Sequence, residues 1–191
     1  MVEAPGGFGA QAPGGFGAQA PGGFGAQALG GFGAMAEHER FMAMAIQEAR
    51  AGAAAGEQPF GALVARDGEV VCRTRSLKVS TSDTTAHSET LAIKAATQAL
   101  GTGSLSGCVF YCTCEPCPMC LGAILNGGIQ HLVIGARNRD VRRLAKLAFN
   151  FGDYTVERFA EMVGWRLAVL DGVLGQECIG LYAGAGVELT R

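Results

Sequence analysis

Apolar positions recur at helical spacing soon after residue 35. Phe41, Ala45, Ile46 and Ala49 predict an amphipathic helix over 36–55 that ends near Gly56. The pattern then shortens. PFGALVARDGEVVCRTRS (59–76) reads as two strands joined at Asp67-Gly68, a strong hairpin signal. Leu91, Ile93, Ala95 and Ala96 predict a mostly buried helix over 86–100, stopped at Gly101. GCVFYCTC (107–114) is a short apolar strand, PMCLGAILNGG (118–128) a helix with a glycine stop, and IQHLVIGA (129–136) another strand. A helix over 155–163, a strand over 165–170 and a last helix over 172–182 complete the pattern. Strands alternating with helices predict a layered α/β domain.

The first residues follow a different rule. APGGFGAQ occurs at 4–11, 12–19 and 20–27, then decays to ALGGFGAM at 28–35. Pro-Gly-Gly every eight residues excludes a helix or a central strand, and so much glycine raises the cost of ordering. Residues 1–34 are therefore expected to be a disordered tail, and 35–191 the folded domain. Met35 opens MAEHERFMAMAIQEAR, which resembles a natural protein start. The repeat also reads as upstream sequence joined by a misplaced start codon.

Composition narrows the function. The chain has 191 residues, 49% hydrophobic and 17% charged, with a net charge of −2. That supports one sizeable core. A nucleic-acid partner normally leaves a basic footprint; only RNRDVRR (137–143) is locally basic, and it reads as a solvated face. No stretch approaches a membrane span, and the N-terminus lacks the basic and apolar regions of a signal peptide. Seven cysteines include a C-x-C-x-x-C-x-x-C run at 112–120. The odd count and tight spacing argue against a secreted disulfide framework and for thiolates in a reducing, cytoplasmic setting.

The candidate chemistry lies in TTAHSETLAIKAAT (84–97) and CTCEPCPMCLGAI (112–124). Cys117 and Cys120, three apart, share a helix face, and Pro118 suits a first helical turn. Both thiols then sit at a helix start, where the partial positive charge favours the thiolates that a metal needs. His87 and Glu89 fall in the first turn of the preceding helix, for which Asp83, Thr84 and Thr85 are candidate N-caps. Two facing helix starts thus deliver one His, two Cys and one Glu to a point. Three ligands plus water is the catalytic form of a zinc site. Such a centre makes water nucleophilic near neutral pH, and a neighbouring Glu89 can move its protons. Together these perform hydrolytic deamination. A structural zinc using Cys114 with Cys117 and Cys120 is the competing arrangement, but it leaves His87 and Glu89 without a purpose. Cys108, Cys112 and Cys114 share a parity that suits burial. His38 reads as a surface residue and His131 as a strand residue.

His87-Ser88-Glu89 with Pro116-Cys117-Pro118-Met119-Cys120 matches the H-x-E…P-C-x-x-C signature of zinc nucleobase deaminases. Over 36–182 the chain resembles the cytidine deaminase-like superfamily. The resemblance implies a three-layer α-β-α sandwich on a five-stranded mixed sheet, one Zn²⁺ held by His87, Cys117 and Cys120, and Glu89 as proton shuttle. CEPCPMCLGAI is most similar to bacterial guanine deaminases, and FNFGDYTVERF (149–159) makes Asp153 a candidate acid there. GVLGQECIGLY (172–182) resembles the last helix of tRNA adenosine deaminases. The implied substrate is a small nucleobase or related heterocycle; tRNA belongs to the second branch, and a homodimer is common to both. A non-catalytic zinc-stabilised module is a further alternative. Two departures stand out. Ser88 replaces the usual alanine, a small-for-small change. Ser76 occupies the slot, eleven residues before His87, where both branches place a purine-binding asparagine, and it offers fewer hydrogen bonds. Phe60 and Asn126 are further candidates for the pocket wall. Whether 141–164 folds over the site is left open.

Overall fold

A computed structural model of the chain describes residues 34–144 and 151–183. The repeat-bearing tail therefore lies outside the described residues. The elements are α1 (Met35–Ala54), β1 (Gly61–Arg66), β2 (Glu69–Arg75), α2 (Ser88–Leu100), β3 (Val109–Cys114), α3 (Pro118–Asn126), β4 (His131–Ala136), α4 (Asn138–Leu144), α5 (Val156–Met162), β5 (Ala168–Asp171) and α6 (Gly175–Gly180). The strands form one sheet in the order β2-β1-β3-β4-β5. β1 runs antiparallel to β2 and β3, whereas β3, β4 and β5 are parallel.

The hairpin forms where Asp67-Gly68 predicts it, with φ of 52° and 78° at the two positions. Those left-handed angles give a turn whose twist matches the strands it joins. Side chains alternate across the sheet. Ala62, Val64, Phe110, Leu132 and Ile134 pack on one face against Ala92 and Ala96 of α2, Leu121 and Ile124 of α3, and Val156 and Ala160 of α5. Leu63, Tyr111 and Val133 pack on the other against Phe41, Met42, Ala45 and Ile46 of α1 and Cys178 of α6. Helices therefore cover both faces, and the three-layer sandwich is present. The α1 layer sits very close: a Cβ on Gly61 would overlap the Ala45 carbonyl oxygen.

Three expectations need correction. His38 is buried, not a surface residue; its Nδ1 lies 2.9 Å from the Tyr111 hydroxyl. RNRDVRR is a helix rather than only a solvated face, since Val141 is fully buried and Arg137 is engaged in ion pairs. Cys108, Cys112 and Cys114 are all buried, as their pattern suggests, but not on one face: Cys114 packs with the α1 side and Cys108 and Cys112 with the α2 side. His131 does begin β4. The final helix is shorter than expected. Among the described residues no helix is long and apolar enough to cross a membrane.

Candidate active site

The site forms where α2 and α3 both begin. His87 is the N-cap of α2 and Cys117 the N-cap of α3; both are extended, and neither side chain caps its own helix. The expected caps Asp83, Thr84 and Thr85 do not fill that role. Asp83 instead accepts from the Thr85 amide at 2.8 Å, closing a turn upstream of the helix. The His87 ring and the Cys117 sulfur are thus left free to face one another. Pro118 follows at the first helical position, where its missing N–H costs nothing. One turn on, Cys120 points back to the same place.

His87 Nδ1 lies 3.4 Å from Cys120 Sγ and 3.8 Å from Cys117 Sγ, and the two sulfurs are 3.4 Å apart. All three donor atoms fall within 4.8 Å of one another. A soft, compact set of one imidazole and two thiols suits a zinc ion. The two sulfurs share a proton. The hydrogen bond between them, helped by His87, holds the Cys117 thiol well below its ordinary range, while the same bond and burial push Cys120 up. The shift favours a thiolate at Cys117, the form in which cysteine binds a cation. Cys114 is not in the set; its sulfur meets Asn138 Oδ1 at 3.4 Å.

Glu89 is buried and lies beside these donors. Burial raises its pKa above that of an ordinary carboxylate, against the opposing hydrogen bond from Ser88. A carboxylate of this kind can accept a proton and return it.

A cavity of about 340 Å³ opens onto His87, Glu89 and Cys117. Phe60 and Ser76 line it, as expected. Ser76 is buried; its amide donates to the Phe60 carbonyl at 3.1 Å, and its hydroxyl accepts weakly from the Lys78 amide at 3.4 Å. Asn126 and Asp153 do not belong to the wall. Asn126 is exposed at the far end of α3, and Asp153 points to solvent beside Arg158. Phe151, Gly152, Tyr154 and Thr155 do line the cavity, so the described part of 141–164 contributes to its wall; residues 145–150 lie outside the described residues.

Two supporting residues escaped the sequence reading. Glu115, between Cys114 and Pro116, is buried. It accepts from Arg137 Nη1 at 3.1 Å and from the amides of Asn138 and Val156. Arg137 also reaches Glu157 and Asp171, each at 2.7 Å. The pair joins the loop before α3 to α5 and β5. A lone carboxylate inside an apolar Cys-rich run was the available signal.

The fold is that of the cytidine deaminase-like hydrolases, which act on C–N bonds. The chain belongs to the MafB19-like deaminase family, whose model matches residues 36–176. It is 34% identical to the tRNA-specific adenosine deaminase of Bacillus subtilis over 157 residues, covering 82% of this chain and 93% of that one. It is 43% identical to the guanine deaminase of the same organism over 88 residues, 46% of this chain and 56% of that relative. The solved guanine deaminase of Nitrosomonas europaea is similar in structure, with a TM-score of 0.66 and 29% identity, covering 75% of this chain and 81% of the other.

Proposed function

We propose that this chain is a zinc-dependent hydrolase that deaminates a free amino-substituted nucleobase or a related heterocycle. The observation that carries the reading is Glu89, buried beside the His87–Cys117–Cys120 donor set and open to a cavity of about 340 Å³. That volume is at the small end of ligand pockets and suits one heterocycle better than a nucleotide.

His87, Cys117 and Cys120 would hold the zinc, which when bound supplies the Lewis acidity that makes water nucleophilic near neutral pH. Glu89 takes a proton from the attacking water and delivers it to the leaving amine. The C–N bond breaks, a C=O bond forms, and ammonia leaves. Phe60 offers an apolar face for a planar ring. Ser76 presents one hydroxyl to the ring edge in place of an amide. The Arg137–Glu115 pair keeps the Cys117 loop in register with α5.

The test is ammonia release by zinc-loaded protein offered guanine, adenine, cytosine, isocytosine and ammeline, with Glu89→Ala as control. Turnover of a free base that is lost in the control, with zinc retained, supports the reading. Equal activity in the control overturns it.

One observation favours a second reading, a tRNA adenosine deaminase. Lys78, Arg139 and Arg142 lie along the cavity, and cations there would suit a phosphate backbone. Inosine formed in an anticodon stem-loop, with binding that weakens as salt rises, would place the chain on that branch.

A further inference from the structure

Ser88 stands one residue from the metal donor His87 and one from Glu89, and the sequence reading treated it as a harmless replacement for alanine. The structure gives it a specific bond. Its hydroxyl donates to Glu89 Oε2 at 2.8 Å, with both residues buried. Adjacent residues on a helix do not face each other, so a bond between positions 88 and 89 does not follow from helix geometry alone. It needs both side chains to turn the same way. The Ser88 residue is also fixed from behind, since the Thr74 hydroxyl on β2 donates to its carbonyl at 2.7 Å.

We infer that Ser88 is a positioning residue for the proton shuttle. A serine hydroxyl has one proton to give, and here it is committed to Oε2. The Glu89 carboxylate is then held in one plane, with Oε1 left as the oxygen that exchanges protons with water and substrate. Without the hydroxyl, Glu89 regains rotamers that must be lost at each turnover. The chain Thr74–Ser88–Glu89 thus runs from the sheet to the reacting atoms, and Ser88 acts on catalysis only through Glu89.

This assignment rests on the deaminase reading above. Its test is Ser88→Ala in the zinc-loaded full chain, with Ser88→Thr as the variant that keeps the hydroxyl. The expected result is a kcat lower by about tenfold in Ser88→Ala, with KM and zinc content close to wild type, and recovery of kcat in Ser88→Thr. A urea-unfolding cycle of Ser88→Ala against Glu89→Ala supplies a readout without substrate: each single change breaks the bond, so the two should be non-additive. Additive unfolding energies, or an unchanged kcat in Ser88→Ala, overturn the assignment while leaving the deaminase reading intact. A loss of zinc that tracks the loss of kcat makes Ser88 structural and also overturns it. A wild-type protein that deaminates no base removes the deaminase reading itself, and the positioning role falls with it.

Discussion

The Tyr154 hydroxyl donates to the Pro116 carbonyl at 2.8 Å. This bond joins the wall of the cavity to the turn that carries Cys117. The same ring stacks near Phe151 and Phe159, with centroids 5.7 and 6.1 Å away. Tyr154→Phe keeps the aromatic packing and removes only the donor. It should cost about 1 kcal/mol of stability in urea unfolding and lower kcat/KM severalfold. Wild-type values in both would show that the bond does not hold the wall in place.

The donor set predicts a metal stoichiometry. Zinc-loaded protein should carry about one ion per chain, measured by elemental analysis after gel filtration. Cys120→Ala should lose that ion, and with it activity and several degrees of melting temperature. Cys114→Ala should keep it, because that sulfur points at Asn138 on the other side of β3. Zinc lost from Cys114→Ala would favour the structural zinc that uses Cys114 with Cys117 and Cys120.

Much of this was legible in the sequence because the signals are local. Asp67-Gly68 specifies its own turn, and the spacing 117–120 sets two sulfurs on one helical face whatever the rest of the chain does. The misses have long-range causes. His38 is buried by Tyr111, which is 73 residues away. α4 has too few apolar positions for a visible period; among its described side chains Val141 is buried, in the cluster with Val133, Ala136 and Val173, and those partners are distant in sequence or in other elements. Asn126 lies six residues beyond Cys120, about 9 Å along the axis, too far for a side chain to return to the metal donors. Asp153 was placed by a loose likeness, and it was the neighbouring Tyr154 that faced inward.

Glu57 provides a pH-dependent prediction away from the metal donors. Its carboxylate accepts from the amides of Val79 and Ser80 at 2.9 and 2.8 Å, fixing the loop that follows Ser76 and Lys78. Burial raises its pKa, but the Ser80 side chain and the two amides outweigh it, and the net shift is downward. A carboxyl whose folded pKa is depressed contributes stability above its unfolded value of about 4.3. That contribution is lost as pH falls through the folded value. Glu57→Gln keeps one acceptor and should cost about 1 kcal/mol at neutral pH. The gap between wild type and Glu57→Gln should stay constant above about pH 5 and close on further acidification. A gap that is independent of pH down to the acid transition would show that the charge contributes nothing.

Ser76 is where the choice of substrate should be read. It is 1% exposed and lines the cavity, so under the proposed function its side chain would meet a bound ring rather than bulk water. A hydroxyl donates and accepts from one atom, whereas an amide sets two donors and a separate acceptor side by side and reaches further. A ring edge that needs a paired donor and acceptor is under-satisfied by serine, and leaving such groups unmatched is what makes polar pockets selective. The wild-type site should therefore discriminate weakly among amino-heterocycles. Ser76→Asn should raise kcat/KM for guanine at least tenfold relative to the pyrimidines and ammeline, since a matched polar contact is worth that much or more. The comparison is made on competing substrates in one reaction, with zinc content measured for both proteins. Equal relative rates in the two proteins would show that residue 76 does not touch the base, and the determinant would then lie among other lining residues such as Tyr154.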